Sequence, residues 1–221
     1  MEIKTIVNSL VDLFFPMRCV HCDEVIHSNQ TLCVLCVSKL PFTHWELDKK
    51  SKAYLQIHQY CDVENAYSLL HFTKDNVTQS ILHEMKYKNR PELGILIADL
   101  ISIDLSTIDY IIPVPIHPKR LRTRGYNQVD LFASQLAKNH QLIFNKELLI
   151  RSKFNSSQVD KNKQDRIIAL SNSFELQSNP TEGHYLIVDD LLTTGATLSQ
   201  AVLPFNQHPN VKVSVLTIGC A

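Results

Sequence analysis

The chain has 221 residues, 44% of them hydrophobic and 20% charged, so it can form one large packed domain with a small appendage. Its 22 lysines and arginines balance its 22 aspartates and glutamates, which argues against a generally polybasic nucleic-acid binder but allows a local basic patch. The sequence has no apolar stretch of about 18 residues for a membrane span and no signal-peptide pattern at its N-terminus. We therefore expect a cytoplasmic protein.

The first pattern in the chain is helical. Apolar residues recur at helical spacing over residues 2–15, and Pro16 ends the pattern. The pattern predicts an amphipathic helix that packs on its own domain. A helix that binds a membrane surface or a partner is the alternative.

A zinc site is predicted by four cysteines with the spacing C-x2-C-x10-C-x2-C, namely Cys19, Cys22, Cys33 and Cys36. Two such Cys-x2-Cys turns bring four thiolates to a tetrahedral centre. Since four thiolates leave no open position for a catalytic water, the zinc is expected to be structural. The alternatives are a disulfide pair, which a reducing compartment disfavours, and a site in which His21 or His27 replaces one cysteine.

The rest of the chain divides by composition. Residues 1–40 form the helix and the zinc module, residues 41–63 read as a connector, and residues 64–221 form the main domain. Continuous apolar strands alternate with amphipathic helices in this last segment, which predicts an α/β domain with a mainly parallel sheet. The predicted strands cover 66–72, 110–115, 148–150, 185–188 and 211–218, and the predicted helices cover 77–88, 91–103, 127–139 and 197–206.

The largest group of candidate functional residues begins at the end of the predicted strand over residues 185–188. Asp189 and Asp190 follow the strand directly, at the edge where open α/β sheets bind ligands. Two acids at this place can hold ribose hydroxyls or organise Mg²⁺. The alternative is an acidic turn before a threonine-capped helix.

A hydroxyl-rich turn follows the acids and begins a helix. Backbone N–H groups and threonine hydroxyls at a helix N-terminus can bind a phosphate. A glycine there allows the backbone to approach the anion closely. The residues of this turn are Thr193, Thr194, Gly195, Ala196 and Thr197.

The strand, acids and turn together resemble the ribose-5-phosphate motif of type I phosphoribosyltransferases. Many purine enzymes of that class have an aspartate at the first position of the turn, where this chain has Thr193. The substitution removes a carboxylate from the place of the purine base. It therefore weighs against purine salvage.

A second constellation is the basic segment after the strand at 110–115. Its four cations occur with no acid among them, and Arg side chains bind diphosphate oxygens in pairs. A nucleic-acid backbone or plain solvent exposure are the alternatives. The cations are Lys119, Arg120, Arg122 and Arg124.

In combination, these segments resemble the ComF family, whose members join a cysteine module to a phosphoribosyltransferase-like domain. The matching segments span nearly the whole chain: the four cysteines, 85–87, 113–115, 124–128, Gln158, Arg166, Phe174 and 188–197. The chain departs from the family pattern at Lys161, where the family has leucine, and at Ala169, where it has asparagine.

The resemblance implies a domain with a type I phosphoribosyltransferase-like fold that binds 5-phosphoribosyl 1-diphosphate with Mg²⁺. It places Lys86, Arg120, Arg122 and Arg124 with the turn residues in substrate binding, and Asp189 and Asp190 in catalysis. It also links the chain to DNA uptake, with single-stranded DNA and other competence proteins as partners.

Three functions remain open from the sequence: transfer of phosphoribosyl to an unidentified acceptor, sensing of the ribosyl diphosphate without turnover, and handling of single-stranded DNA. No strong general base is evident. His117 is a candidate, but a histidine beside Pro118 in a loop is more often simply exposed.

Overall fold

The computed structural model describes residues 16–27, 30–45, 49–151 and 173–221. The helix predicted over residues 2–15 lies outside these ranges, as do Gln158, Lys161, Arg166 and Ala169. Within the described part of the chain, no helix is long and apolar enough to cross a lipid bilayer.

The elements alternate between helices and strands along the chain. The helices are α1 (Val34–Ser38), α2 (Lys52–His58), α3 (Val77–Tyr87), α4 (Leu93–Asp99), α5 (Pro118–Arg124), α6 (Asp130–His140) and α7 (Ala196–Asn206). The strands are β1 (Asn65–His71), β2 (Tyr110–Pro113), β3 (Ile143–Phe144), β4 (Leu149–Arg151), β5 (Phe174–Leu176), β6 (Gly183–Leu192) and β7 (Val211–Cys220).

Five strands form the main sheet, in the order β1-β7-β6-β2-β3, and every neighbouring pair in it is parallel. Strands β4 and β5 form a separate antiparallel pair. The predicted fold class is confirmed: a mainly parallel sheet with flanking helices and a four-cysteine module.

The sheet is covered on both faces, as β6 illustrates. Its residues Leu186 and Val188 pack in a core with residues of α3, α4 and α6. The alternate residues Tyr185 and Ile187 pack on the other side with residues of α2 and α7. Successive side chains of a strand point to opposite faces, so a strand buried on both faces is apolar throughout.

The cysteine module packs on the main domain. Cys19, Cys33 and Cys36 belong to the same hydrophobic cluster as Leu82 of α3. His21 Nδ1 also lies 2.9 Å from Ser80 Oγ of α3. Loss of the metal is therefore expected to disturb the face of the sheet that α3 covers.

The segment predicted as a connector contains a helix that the sequence did not suggest. The Ser51 hydroxyl caps α2 by accepting from the Tyr54 N–H at 3.0 Å. Tyr54 and Ile57 are buried against the sheet domain. This helix therefore belongs to the packed domain as well as linking it to the cysteine module.

The basic segment also forms a helix, α5. His117 is its N-cap and Pro118 its first residue, a position where the missing N–H of proline is harmless. Gly125 ends it with φ of 78°, a left-handed conformation that favours glycine. None of its side chains is buried.

Candidate active site

The register of two parallel strands brings the two sequence motifs together. Pro113 of β2 lies opposite Val188 of β6. The chain that follows β2 therefore emerges beside Asp189 and Asp190, at the carboxyl edge of the sheet. Crevices at this edge are the usual ligand sites of open α/β sheets.

A cavity of about 380 Å³ opens at this edge. It contains six of the predicted site residues, which come from α3, α5, the end of β6 and the turn after it: Lys86, Arg120, Asp189, Asp190, Thr193 and Thr197. We call it the acid cavity. The sequence motifs thus converge on one volume of the size of a small phosphorylated ligand.

Asp190 is bound by two side chains of the protein. The Lys86 Nζ lies 2.9 Å from Asp190 Oδ1, and Gln128 Nε2 donates to Asp190 Oδ2 at 2.5 Å. Only 6% of Asp190 is exposed. Asp190 is therefore buried and also lines the acid cavity. A cation and an amide satisfy its carboxylate inside the fold, which offsets the cost of burying it.

Asp189 differs from its neighbour. Its side chain is half-buried at the cavity, and its Oδ1 accepts the Asp190 N–H at 2.8 Å. Burial and the adjacent charge of Asp190 raise the pKa of Asp189 to about 8. A cation bound beside Asp189 would favour the ionised form. The carboxyl is therefore suited to a positively charged or hydrogen-bond-donating ligand.

The hydroxyl-rich turn is held from the side of α2. Gly195, the N-cap of α7, is buried and has φ of 79°. The Gln56 side-chain amide donates to the carbonyl of Thr193. Thr194 Oγ1 accepts the Ala196 N–H at 3.4 Å, whereas Thr193 and Thr197 line the acid cavity. The N-terminal end of α7 is thus directed to a place where an anion can bind.

Arg151 was missed by sequence reasoning. It ends β4, lines the acid cavity and places its guanidinium carbon 5.0 Å from the centre of the Phe174 ring. Burial and the nearby Arg120 lower its pKa, and Asp189 opposes this effect. Its position directly after the apolar run at 148–150 was the signal in the sequence, because a cation there lies at a strand end.

A second cavity, of about 420 Å³, adjoins the acid cavity. Among the described residues that line it there are cations and two tyrosines but no acid: Lys86, Tyr87, Asn89, Lys119, Arg120, Thr123, Arg124 and Tyr126. We call it the basic cavity. Lys86 and Arg120 line both cavities.

The three predicted arginines therefore differ in which cavity they line. Arg120 lines both cavities, while Arg124 lines only the basic cavity. Arg124 donates to Gln128 Oε1 at 2.8 Å and lies 5.1 Å from the centre of the Tyr87 ring. Arg122 is exposed and lines neither of these cavities.

His117 lines the acid cavity, and its ring already accepts a hydrogen bond from the backbone. Its Nδ1 accepts the backbone N–H of Lys119 at 3.1 Å, which leaves the ring proton on Nε2. Burial and the charges of Arg151 and Lys119 lower its pKa. A neutral ring in this tautomer donates a hydrogen bond, so this geometry does not favour His117 as a general base.

The cysteine cluster has the geometry of a metal centre. The ligand sulfurs of Cys19, Cys22, Cys33 and Cys36 all lie within 4.8 Å of one another. The Cys22 and Cys33 sulfurs are 3.6 Å apart. Sulfurs about 2.3 Å from a central zinc lie about 3.8 Å from each other in a tetrahedron. The donor set therefore fits a structural Zn²⁺ without His21 or His27, neither of which belongs to the cluster.

Comparison with known proteins agrees with this description of the N-terminus. A double zinc ribbon domain model matches residues 10–49. The match covers all four cysteines of the cluster.

The chain also resembles bacterial proteins that are named for DNA utilization and for competence. DNA utilization protein YhgH of Escherichia coli O157:H7 is 27% identical over 197 residues, which cover 82% of this chain and 81% of that protein. Competence protein F of Haemophilus influenzae is 26% identical over 208 residues, 85% of this chain and 90% of that one. Competence protein ComFC of Bacillus subtilis is 32% identical over 91 residues, 40% of this chain and 34% of that one.

Two solved structures are similar in part. Glutamine phosphoribosylpyrophosphate amidotransferase from B. subtilis has a TM-score of 0.38 at 17% identity over 57% of this chain, and the match spans 26% of that enzyme. Adenine phosphoribosyltransferase from Leishmania tarentolae has a TM-score of 0.33 at 15% identity, with coverage of 79% and 89%.

The fold and the site define an α/β protein that combines a zinc ribbon with a ligand cavity at the carboxyl edge of a parallel sheet. Within that class the chain is a homologue of YhgH and of the competence proteins F and ComFC. The predicted resemblance to the ComF family is thereby confirmed.

Proposed function

We propose that the acid cavity binds 5-phosphoribosyl 1-diphosphate with Mg²⁺ and that the protein transfers the phosphoribosyl group to an acceptor. The observation that carries this proposal is the meeting of three groups in one cavity of about 380 Å³: the acid pair, the hydroxyl-rich turn and three cations. A ribosyl diphosphate offers a matching part to each of them.

Each part of the ligand has residues suited to it. The turn at residues 193–197 binds the 5-phosphate with N–H groups and hydroxyls. Asp189 accepts hydrogen bonds from the ribose hydroxyls. The diphosphate lies against the cations that line the acid cavity, namely Lys86, Arg120 and Arg151.

The two acids also suit a metal. Mg²⁺ prefers carboxylate and phosphate oxygens, and Asp189 and Asp190 are the acids that line the cavity. When bound, the ion would neutralise charge on the departing diphosphate.

In the proposed reaction the bond between ribose C1 and the diphosphate oxygen breaks, the diphosphate leaves with the electron pair, and the acceptor bonds to C1. The arginines stabilise the charge that grows on the leaving group. The acid pair and the turn fix the ribose so that C1 faces the acceptor. We place this chemistry in DNA uptake because relatives of the chain are named competence proteins.

The decisive experiment measures ligand binding and diphosphate release on the full chain. Calorimetric titration with 5-phosphoribosyl 1-diphosphate and Mg²⁺ is expected to show saturable binding. Addition of bases, nucleotides or nucleic acids as acceptors is expected to release diphosphate with one of them. Binding without release for every acceptor would replace the transferase with a sensor of the ribosyl diphosphate, and absence of binding would overturn both functions.

A second candidate function is the handling of single-stranded DNA, which the basic cavity favours. Lys119 and Arg124 can contact phosphates, and Tyr87 and Tyr126 offer rings for base stacking. This function predicts salt-sensitive binding of a single-stranded oligonucleotide that survives Asp189→Asn and weakens in Lys119→Ala. Equal binding by Lys119→Ala and the unaltered protein would remove the basic cavity as the DNA site.

A further inference from the structure

Each oxygen of the Asp190 carboxylate has a side-chain partner within the protein. Lys86 Nζ lies 2.9 Å from one oxygen, and Gln128 Nε2 lies 2.5 Å from the other. The side chain of Asp190 is 9% exposed and that of Lys86 is 22% exposed, so the ion pair lies largely out of water. In this arrangement Lys86 competes with a ribose hydroxyl or a metal for Oδ1 of Asp190.

The two partners of Asp190 differ in how easily they can leave. Lys86 belongs to the last turn of α3, lines both cavities and reaches Asp190 through a flexible stem of four carbons. Gln128 is 7% exposed, and its amide oxygen is held by Arg124 at 2.8 Å. A phosphate oxygen that enters between the cavities can therefore draw away Lys86 while Gln128 stays in place.

We propose that Lys86 is an exchangeable counter-ion of Asp190: it occupies the acid until a diphosphate draws it away, and the acid is then free to bind the ribose part of the ligand. This inference rests on the proposed binding of 5-phosphoribosyl 1-diphosphate. Lys86 and Gln128 act here as positioning residues. Gln128 keeps the second oxygen of Asp190 fixed, so the released oxygen faces the acid cavity.

The proposal predicts an unusual sign of coupling between two anions. Diphosphate and ribose 5-phosphate both carry negative charge, so their binding to neighbouring sites would normally be antagonistic. Release of Asp190 by the diphosphate reverses this effect, because a ligand binds more weakly when only a fraction of the protein has its site available. Diphosphate should therefore strengthen the binding of ribose 5-phosphate.

The first test uses the unaltered full chain at constant free Mg²⁺. Ribose 5-phosphate is titrated by calorimetry with and without saturating inorganic diphosphate, and its affinity is expected to rise at least ~3-fold with diphosphate. Unchanged or weaker binding would overturn the proposal. Failure of the protein to bind 5-phosphoribosyl 1-diphosphate at all would instead show that the proposed function is wrong.

The second test replaces the counter-ion. In Lys86→Met, the affinity for ribose 5-phosphate alone is expected to rise, the affinity for 5-phosphoribosyl 1-diphosphate to fall, and the effect of inorganic diphosphate to disappear. The matched control is Lys88→Met, because Lys88 is exposed and lies two positions further along the chain. It removes the same charge without touching Asp190.

The outcomes separate the exchange from its alternatives. A lysine that only attracts anions would lower both affinities in Lys86→Met, as would a general loss of charge in Lys88→Met. Coupling that persists in Lys86→Met would show that the metal, and not the lysine, links the two anions. Either result would overturn the exchange.

Discussion

Gln128 and Asp190 are 62 positions apart in the chain, and their side chains meet at 2.5 Å in the interior of the site. Gln128 belongs to the segment that follows α5, whereas Asp190 belongs to β6. The contact gives Asp190 a structural role in addition to its place in the cavity. Asp189, the preceding residue in the chain, has no such pair of side-chain partners among the described hydrogen bonds and ion pairs. The two acids are therefore expected to respond differently to the same substitution.

Replacement of each acid by asparagine should change the stability of the protein differently. Asp190→Asn removes the charge that pairs with Lys86, and we expect it to lower the free energy of unfolding by about 1–3 kcal/mol. Asp189→Asn removes a carboxylate whose charge is disfavoured by burial. The urea concentration at which half of this variant unfolds should therefore equal or exceed that of the unaltered protein. Urea denaturation of the zinc-loaded variants measures both. Equal losses in the two variants would contradict the assignment of the partners.

Ligand binding should depend strongly on Asp189. Bound Mg²⁺ favours the ionised form of Asp189 against the burial that raises its pKa. Asparagine keeps the size of the side chain and removes this charge, and hydrogen bonds to a charged acceptor are worth about 1.5–3 kcal/mol each. We expect the affinity of Asp189→Asn for 5-phosphoribosyl 1-diphosphate to fall at least ~10-fold in calorimetry with Mg²⁺. An unchanged affinity in the folded variant would exclude Asp189 from the ribosyl site.

The dependence of stability on pH should reveal the raised pKa of Asp189. The pKa of Asp189 is about 8 in the folded chain, against about 3.9 for an unfolded aspartate. Between these values the folded state binds more protons, so this group lowers the stability as the pH rises. From pH 6 to 8 the unaltered protein should lose stability relative to Asp189→Asn, and the difference should level off above pH 8. A constant difference throughout would contradict the raised pKa.

Zinc and thiol reactivity can be tested together. We expect about one Zn²⁺ per chain on the four clustered cysteines, and chelation should unfold their module. Burial raises the pKa of Cys61 to about 11 and also raises the pKa of Cys220, so at pH 8 both thiols remain protonated and react slowly with iodoacetamide. Mass spectrometry should show rapid alkylation of the four cluster cysteines only after chelation. Absence of zinc from a reduced, folded sample would rule out the metal site.

The loss of ligand affinity on replacing an arginine with alanine should depend on whether that arginine lines the acid cavity. Arg120→Ala and Arg151→Ala each remove a cation that lines the acid cavity, and each should weaken binding of 5-phosphoribosyl 1-diphosphate more than binding of ribose 5-phosphate. Arg122 is exposed outside both cavities, so Arg122→Ala should cause a smaller loss. Calorimetry with both ligands provides the ranking, and a loss in Arg122→Ala as large as in Arg120→Ala would reverse it.

The sequence by itself determined the local features of this protein. The spacing of the four cysteines specified their cluster, because a Cys-x2-Cys turn brings two sulfurs together without help from distant residues. Apolar runs specified four strands of the parallel sheet, β1, β2, β6 and β7, since a strand buried on both faces needs no polar position. The two-residue strand β3 was not predicted, and the predicted strand over 148–150 lies in the separate antiparallel pair. The acids and the turn were also evident, because strand, acids and helix start are consecutive in the chain, although β6 extends through both acids to Leu192.

Only the tertiary structure decided how the site is assembled. The register of β2 on β6 brought the basic segment to the acids, and the antiparallel pair of β4 and β5 supplied Arg151. The same packing placed Lys86 and Gln128 on Asp190, so an acid that lines the cavity also has partners inside the fold. Contacts between residues far apart in the chain depend on how helices and strands pack. The local sequence around Asp189 and Asp190 therefore could not predict them.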